Sequence, residues 1–488
     1  MSSALPARPA GTEPLLSAGT TSAAIVVVSL LCFVPLSAND FWLHAAIGRI
    51  IRTTGEIPAS ALFPFTEAAD FPFHAHEWLA SLVMHLLDDG LGHERVIFAK
   101  GLLGLALFGL AYRLSHRLTG SFPLAVPLSV AALIVANFRF RLRPELFALL
   151  FALLLLNLLA EYRERRNPWY LVACAAIAVP WANMHGSAPI AVALIGAFAA
   201  GAALSPGERV RAAAPYALCA AGVALALLVN PYGVGVYRFA WELQASGYLR
   251  SLIYEWMPTF SGPFVGTRGF WAFVVYLALL GALLYAGRRR VSPEGWLLLA
   301  GFGALALHTQ RHIAFFAIVS LYPASLAARA LAPRLETSRR LRVAVLIALM
   351  AAGGLLLRFG NLSGGYPYFV ESNNFSPLLA GYVDQGGVRG NVLNSYALGA
   401  ELVYRAWPRA RPAIDSRVDI YGERYLLFIE RVLRDEALFR DFVRRYDVNY
   451  VLLTRPDFEG GLRGMPGLQR DGWRIVFADH KAVLLGRR

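Results

Sequence analysis

Charged residues are scarce in this chain of 488 residues: Asp, Glu, Lys and Arg make up 16% of it, against about 25% in an ordinary soluble protein. Only Lys100 and Lys481 are lysines, and the three cysteines, Cys32, Cys174 and Cys219, all lie in apolar stretches. The composition argues against a disordered chain and against an ordinary cytosolic enzyme. The cysteine placement indicates neither a disulfide framework nor a thiolate metal site.

Hydrophobic residues are abundant instead, at 57% of the chain, and they fall in long runs. A membrane-spanning helix needs about 20 consecutive apolar residues, so the composition is that of a polytopic membrane protein. The formal net charge of +14 comes almost entirely from arginine, and the arginines collect in short loops between the apolar runs. This placement is the positive-inside pattern of membrane proteins, which explains the charge better than nucleic-acid binding does.

Eleven apolar runs are long enough to cross a bilayer, which predicts an α-helical polytopic membrane protein with about 11 spans. The runs cover residues 21–38, 96–113, 122–138, 144–160, 169–183, 187–204, 212–229, 269–287, 294–308, 311–330 and 341–357. The run 78–87 would rise only about 15 Å as a helix, against a hydrocarbon core of about 30 Å, so it is interpreted as interfacial or re-entrant. The first run lacks a clear cleavage site and is interpreted as a retained span.

The arginine clusters predict the orientation of the spans. With a cytoplasmic N-terminus, every compact cluster that joins two spans lies inside, except Arg139, Arg141 and Arg143. The opposite face then collects the chemically unusual segments, which are 39–95, 138–145, 183–186, 230–268, 308–312 and the tail from 358 onward. One face is thus an arginine-decorated anchor, and the other carries the candidate chemistry.

The composition changes near residue 358, which predicts two domains. Residues 1–357 form the transmembrane domain, with its first outer loop at 39–95, and residues 358–488 form an extracytoplasmic domain. Short strands are predicted in this tail at 390–396, 412–417, 449–454, 473–478 and 481–485, and amphipathic helices at 424–434 and 436–446. Strands alternating with helices predict a small α/β domain.

The first outer loop carries the clearest candidate site residues. Asp40 follows the first span, and His44 lies one helical turn later on the same face of a helix predicted at 41–53. Asp40 is either a helix cap or a carboxylate that binds a cation or accepts a proton. Further along, His76 and Glu77 are adjacent, and imidazole and carboxylate groups serve both metal sites and acid–base catalysis. Their spacing does not match the HExxH motif of zinc proteases.

Ionisable residues also stand at the ends of later spans. Arg139, Arg141 and Arg143 lie on the outer side against the charge rule, and would share one direction if the segment is extended. They need an anionic partner, either lipid headgroups or a bound phosphate. His185 closes one span and Arg311 begins another, and ionisable groups at such places are functional candidates.

Several of these motifs together resemble those of bacterial membrane glycosyltransferases of the GT-C superfamily, over most of the chain. They are Asp40-x-Trp42-x-His44, Gly55-x-Ile57-Pro58, Phe63-x-x-Thr66, His76-Glu77-Trp78-Leu79, Asn183-x-His185-Gly186, Asn230-Pro231-x-Gly233 and Ile414-Asp415-Ser416-Arg417-x-Asp419-x-Tyr421. The resemblance implies a GT-C-like fold in a bacterial inner membrane. It also implies inverting transfer of a sugar from a polyprenyl-phosphate donor on the extracytoplasmic face, with the acid of the first loop, here Asp40, as the central group. Protein mannosyltransferases often have two acids in a row at the place where this chain has Asn39-Asp40. The chain departs from them there, and it has no DxD motif.

These observations lead to one functional hypothesis. Asp40 is the general base or the acceptor-orienting group, and Glu77 and His76 support it directly or as its fellow ligands of a divalent metal cation. Arg143 and Arg311 hold the departing phosphate. Further substrate-binding candidates are His44, Arg141 and His185.

The predicted partners are a lipid-linked sugar donor, a glycan, lipid or protein acceptor, and membrane lipids, with no nucleic acid. Two other classes of function stay open. One is a lipid or polysaccharide transporter or flippase, which also needs polar groups in a cavity. The other is a non-catalytic membrane assembly protein, which would have no cavity joining Asp40, Glu77 and Arg143.

Overall fold

The structure is a computed structural model that describes residues 13–33, 39–92, 95–205, 209–245, 247, 253–333, 338–359, 375–465 and 467–487. The end of the first predicted span, 34–38, lies outside the described residues. The helices before residue 360 are α1 (Glu13–Cys32), α2 (Asn39–Thr54), α3 (Trp78–Leu91), α4 (Val96–Thr119), α5 (Phe122–Ala136), α6 (Pro144–Arg165), α7 (Trp169–Met184), α8 (Ile190–Leu204), α9 (Arg209–Ala226), α10 (Gly235–Ala245), α11 (Arg268–Gly287), α12 (Pro293–His308), α13 (Ile313–Ala328) and α14 (Arg339–Phe359).

Each of the predicted apolar runs falls on one of these helices, namely α1, α4–α9 and α11–α14. Among the described residues, six segments are long and apolar enough to cross a membrane: Val96–Thr119, Phe122–Arg139, Pro144–Arg165, Arg268–Arg290, Gln310–Ala328 and Arg339–Arg358. Shorter apolar helices lie at Leu16–Cys32, Trp169–Met184, Ile190–Leu204 and Arg211–Ala226. The helices are those of a multi-pass membrane protein, and the exact number of 11 spans stays a prediction.

The centre of the bundle is formed by α13 and α6, which are buried along most of their length. By contrast, α11 and α14 expose large apolar side chains such as Trp271, Leu279, Ile347 and Leu355. Lipid tails are as apolar as leucine, so such faces are stable in a bilayer and would be unfavourable in water. The buried and exposed faces therefore distinguish the helices that pack inside the protein from those that face lipid.

Helices α2 and α3 pack closely at Gly48. A Cβ at this glycine would lie 2.1 Å from the carbonyl oxygen of Ser81, so the approach requires the absence of a side chain. The 14 residues of α3 rise about 21 Å, and α3 is not among the span candidates of the described residues. The fixed pair determines the places of Asp40, in the first turn of α2, and of Glu77, immediately before α3.

The tail contains a five-stranded mixed sheet in the order β2-β1-β3-β5-β4. The strands are β1 (Gly390–Asn394), β2 (Ala410–Pro412), β3 (Val448–Thr454), β4 (Trp473–Ala478) and β5 (Ala482–Arg487). β1 is parallel to β2 and β3, and β5 is antiparallel to β3 and β4. The tail helices are α15 (Pro377–Asp384), α16 (Tyr396–Ala406), α17 (Val418–Val432), α18 (Glu436–Arg445) and α19 (Arg455–Gly460). The predicted α/β character of the tail is confirmed.

The strand predicted at 412–417 is wrong beyond Pro412. The carbonyl oxygen of Ile414 accepts a hydrogen bond from Asn394 Nδ2 at 2.8 Å, and the N–H of Asp415 donates to the Tyr421 hydroxyl at 3.1 Å. Side chains thus take the backbone groups that a continued strand would pair, which is a common way in which polar residues end regular structure. The freed segment leads directly into α17.

Helix α16 joins the tail to α2. The rings of Trp42 and Tyr404 lie 4.8 Å apart between centroids, and the Tyr404 hydroxyl donates to Asp88 Oδ2 at 2.6 Å. The Arg405 guanidinium lies 5.3 Å from the centroid of the Trp42 ring, within the range of a cation–π contact. These contacts place the tail beside the first outer loop.

Candidate active site

A cavity of about 1320 Å³ lies where α2, the ends of the bundle helices and the tail meet. Six of the predicted site residues line it: Asp40, His76, Glu77, Arg143, His185 and Arg311. The tail contributes lining residues that include Tyr396, Ser416 and Asp419. The fold therefore brings together side chains that are far apart in the sequence, and their chemical roles stay predictions at this point.

Asp40 is held by an arginine in a chain of alternating charges. Arg143 Nε lies 2.6 Å from Asp40 Oδ2, and Arg143 Nη1 lies 2.6 Å from Glu255 Oε1. Glu255 Oε1 also lies 2.6 Å from Arg139 Nη1, and Arg139 Nε donates to Glu145 Oε2 at 2.7 Å. Burial opposes the ionisation of Glu255, but Arg139 and Arg143 outweigh it and lower the pKa of this carboxyl. This row of ion pairs thus extends from Asp40 at the cavity to Glu145 inside the bundle.

These contacts correct the interpretation of the arginine corner. The anionic partners of Arg139 and Arg143 are protein carboxylates, whereas the sequence argument considered only lipid headgroups and a bound phosphate. The corner is also not an extended strand, because Asn137–Arg139 forms a 3₁₀ turn followed by bends. Arg143 lines the cavity, whereas Arg141 does not.

Glu77 lies among three imidazoles. His44 Nε2 lies 3.5 Å from Glu77 Oε2, while His185 Nε2 and His76 Nε2 lie 3.7 and 3.9 Å from Oε1. Burial raises the pKa of Glu77 to about 7 and lowers the pKa of His44 to about 4. A carboxyl that titrates near neutral pH beside the neutral imidazole of His44 is suited to proton exchange. His44 does not line the cavity, and its Nδ1 lies 2.8 Å from Ser81 Oγ behind Glu77.

The position of His185 follows from the end of α7. His185 is the first residue past this helix, and its Nδ1 lies 2.7 Å from Ser187 Oγ, which leaves Nε2 directed towards Glu77. Two residues earlier, Asn183 accepts a hydrogen bond from Trp78 Nε1 at 2.7 Å and donates to the Val229 carbonyl oxygen at 2.7 Å. The Asn183-x-His185 pattern therefore ties α7 to α3 and orients the imidazole.

Arg311 supplies positive charge to the bundle wall of the cavity. It lies in the 3₁₀ turn Gln310–His312 before α13, and its guanidinium carbon is 5.6 Å from the centroid of the Trp256 ring. Within the described residues no carboxylate lies at ion-pair distance from Arg311, whereas Arg143 contacts two. A guanidinium stacked on an aromatic ring and not neutralised by an acid is well suited to hold a phosphate.

Sequence reasoning missed the role of Glu255 and Trp256. Both side chains line the cavity, and Glu255 pairs with two arginines. Arg143 and Glu255 are separated by 112 residues, so no local spacing reveals the pair. The available signal was an acid between two aromatic residues in an outer loop.

The predicted cation ligands Asp40, His76 and Glu77 do not fit a metal ion as they are placed. Among the described residues, no group of three or more His, Cys, Asp or Glu side chains is arranged to hold one. Asp40 contacts the Arg143 guanidinium, so a cation there would have to displace a positive charge.

The chain has the GT-C fold, which solved structures of membrane glycosyltransferases share. No protein-family model and no curated protein matches the chain. Among solved structures, archaeal oligosaccharyltransferase AglB from Archaeoglobus fulgidus, in complex with an inhibitory peptide and a dolichol-phosphate, has a TM-score of 0.59 at 12% identity, covering 92% of this chain and 70% of that one.

Two further structures have the same fold. The Archaeoglobus fulgidus oligosaccharyltransferase in complex with Zn and sulfate gives a TM-score of 0.57 at 14% identity, covering 90% of this chain and 68% of that one. ArnT from Cupriavidus metallidurans, bound to undecaprenyl phosphate, gives 0.51 at 14% identity and covers 98% of each chain. At these identities the similarity is one of fold.

Proposed function

We propose that this protein is an integral membrane glycosyltransferase that moves a sugar from a polyprenyl-phosphate donor to an acceptor hydroxyl on the extracytoplasmic face. The observation that carries the proposal is one cavity lined by Asp40, Glu77 and Arg311, in a chain with the GT-C fold. A dolichol-phosphate and an undecaprenyl phosphate are bound by two proteins of this fold. The donor class proposed here matches those lipids.

The reaction is a displacement at the anomeric carbon of the donor sugar. The acceptor oxygen forms the new bond to that carbon, the bond from the carbon to the phosphate oxygen breaks, and polyprenyl phosphate leaves with the electron pair. The acceptor proton passes to a carboxylate. Because a lipid phosphate is already a stable leaving group, the protein mainly has to orient the acceptor, take the proton and balance the phosphate charge.

Asp40 orients the acceptor hydroxyl and receives its proton. The ion pair with Arg143 fixes the carboxylate at the cavity wall, and fixing a reacting group is itself a large part of catalysis. Glu77 and His76 accept the proton in turn, because the pKa of Glu77 is raised by burial to about 7. His185 Nε2 lies 3.7 Å from the same carboxylate and adds a polar group beside it.

Arg311 holds the phosphate of the donor, with Arg143 as the second cation. Arg143 already contacts Asp40 and Glu255, so Arg311 has more capacity to bind an added anion. Apolar residues such as Leu305 and Phe315 line the same part of the cavity wall. A lipid with a phosphate head and an apolar tail suits such a surface.

The first experiment measures transfer from a labelled polyprenyl-phosphate sugar by the purified full-length protein, with membranes of the bacterium that makes it as the source of acceptor. Asp40→Asn is expected to lower the transfer rate by roughly 10²- to 10⁴-fold, the usual range for a lost acid–base group, while the variant still binds undecaprenyl phosphate. The matched control is Asp441→Asn, because this exposed tail carboxylate contacts only Arg444 among the residues that the structure describes. Full transfer by Asp40→Asn would remove Asp40 from the mechanism.

The second experiment follows binding of undecaprenyl phosphate through the fluorescence of the purified protein. Arg311→Gln is expected to weaken binding about 10- to 100-fold, as for the loss of a charged hydrogen-bonding partner. Arg238→Gln is the control, since Arg238 is exposed and contacts Glu242. Movement of the labelled lipid between leaflets with no transfer by the unaltered protein would support the transporter alternative instead.

A further inference from the structure

The loop between β2 and α17 brings a tail segment to the cavity. Ser416, Val418 and Asp419 of this segment all line it, together with Tyr396 from α16. The tail therefore forms one wall of the cavity that holds Asp40 and Arg311.

Two charged residues of this loop are used to attach it to the first outer loop. Arg417 Nε and Nη2 contact the two oxygens of the buried Asp415 at 2.9 and 2.5 Å, and Nη2 also donates to the Ala61 carbonyl oxygen at 2.6 Å. The guanidinium lies 4.8 Å from the Phe63 ring centroid and 4.7 Å from that of Phe73. Burial lowers the pKa of the Arg417 guanidinium, but the Asp415 carboxylate outweighs that effect and raises it overall. Asp415 and Arg417 are therefore structural.

The backbone of the loop is fixed as well. The Tyr396 hydroxyl donates to the Ser416 carbonyl oxygen at 2.5 Å, and the N–H of Arg417 donates to Asp415 Oδ1 at 3.0 Å. The Tyr425 hydroxyl donates to the Ala413 carbonyl oxygen at 3.0 Å. A loop held at so many points presents its remaining side chains in defined positions.

Asp419, in the first turn of α17, is the acid of this segment that the attachment does not use. Within the described residues its carboxylate makes no ion pair and no hydrogen bond to another side chain, and it accepts a hydrogen bond only from its own backbone N–H. Burial raises the pKa of Asp419, and the largest effect in the opposite direction comes from His76. The negative charge of Asp419 in turn helps to raise the pKa of Glu77, so Asp419 shares the acceptor side of the cavity with His76 and Glu77.

We propose that Asp419 is a specificity-determining residue that binds hydroxyl groups of an acceptor sugar and places the attacking hydroxyl at Asp40. This inference rests on the proposed function and adds the acceptor class to it. A carboxylate oxygen only accepts hydrogen bonds, and adjacent sugar hydroxyls can donate one to each oxygen. Arg311 holds the phosphate at the bundle wall, and Asp419 meets the acceptor from the tail wall.

The test compares acceptor and donor dependence in the transfer assay with full-length protein, a labelled polyprenyl-phosphate sugar and a dilution series of the acceptor membranes. Asp419→Asn is expected to raise the half-saturating amount of acceptor by about 10- to 100-fold, the loss of a charge-assisted hydrogen bond, with the donor KM unchanged. Asp419→Glu is expected to retain part of the acceptor binding. Asp441→Asn, at an exposed tail site, is the control.

Three outcomes would overturn the inference. They are equal transfer by Asp419→Asn and the unaltered protein, a parallel rise of the donor KM, and a product whose label is attached to an amino-acid side chain or to a lipid group that is not a sugar, instead of to a sugar hydroxyl. Asp415→Asn serves as a structural contrast, because loss of the loop attachment is expected to lower the thermal unfolding midpoint, whereas Asp419→Asn is not expected to lower it. A protein with no transfer activity at all would refute the proposed function itself.

Discussion

At the scale of single residues, Glu77 and His44 make opposite contributions to the pH dependence of stability. The pKa of Glu77 rises from 4.5 to about 7 on folding, so its contribution to stability is complete below pH 4.5 and is lost as the pH rises to about 7. The pKa of His44 falls from 6.5 to about 4, so its contribution is complete above pH 6.5 and is lost as the pH falls to about 4. The two effects oppose each other between pH 4.5 and 6.5.

Removing either group should therefore reveal the other. Glu77→Gln is expected to give a protein whose thermal unfolding midpoint increases as the pH is raised from 4 to 6.5. At pH 8 this variant is expected to be more stable than the unaltered protein, by roughly 3 kcal/mol for a pKa shift of this size. His44→Phe is expected to give a midpoint that falls as the pH rises to about 7. Thermal unfolding in detergent across this pH range is the measurement. Profiles parallel to that of the unaltered protein in both variants would contradict the assignment.

At the scale of helices, strands and loops, the sequence predicts the regular parts better than the site. The apolar runs and the helix at 41–53 depend on local composition, which is why they match α1, α2 and the bundle helices. The strand at 412–417 fails because Asn394 and Tyr421, both outside the segment, take its backbone groups. The sequence does not predict the contact between Arg143 and Glu255 for the same reason, because the two residues are 112 positions apart and meet only in the folded protein.

The attachment of the tail loop gives a prediction at this scale. Arg417→Met leaves the buried Asp415 without its cation, which typically costs about 3–5 kcal/mol, so faster hydrogen exchange is expected at 413–419. Arg440→Met is the control, because its contacts with Glu436 and Asp471 are exposed, and little change is expected. The double variant Arg417→Met with Asp415→Leu is expected to recover stability, since replacing both charges removes the unpaired one. No recovery would mean that the cation–π contacts with Phe63 and Phe73 dominate.

At the scale of the whole molecule, the central helix α13 separates two chemically different ends. Arg311 and Phe315, at its beginning, line the cavity. Near its other end, Gly287 approaches the backbone of Ala327 so closely that a Cβ would lie 2.3 Å from the carbonyl oxygen, and the cluster Arg288–Arg290 follows directly. The cavity and this arginine cluster are therefore on opposite ends of the bundle. Such a division of charge is what the positive-inside rule predicts for a protein whose chemistry occurs outside the cytoplasm.

This arrangement makes the orientation testable with single introduced cysteines. The native Cys32, Cys174 and Cys219 form no disulfide and are buried, so a labelling reagent reaches them poorly. Asp441→Cys lies on the tail and Arg289→Cys in the arginine cluster, and both positions are exposed. In spheroplasts, a membrane-impermeant maleimide is expected to label Asp441→Cys at once and Arg289→Cys only after lysis. The reverse pattern would place the cavity on the cytoplasmic side, where the protein would bind the donor before the donor crosses the membrane. The proposal that the reaction occurs on the extracytoplasmic face would then be wrong. Labelling of both in intact spheroplasts would contradict the separation of the two ends by a bilayer.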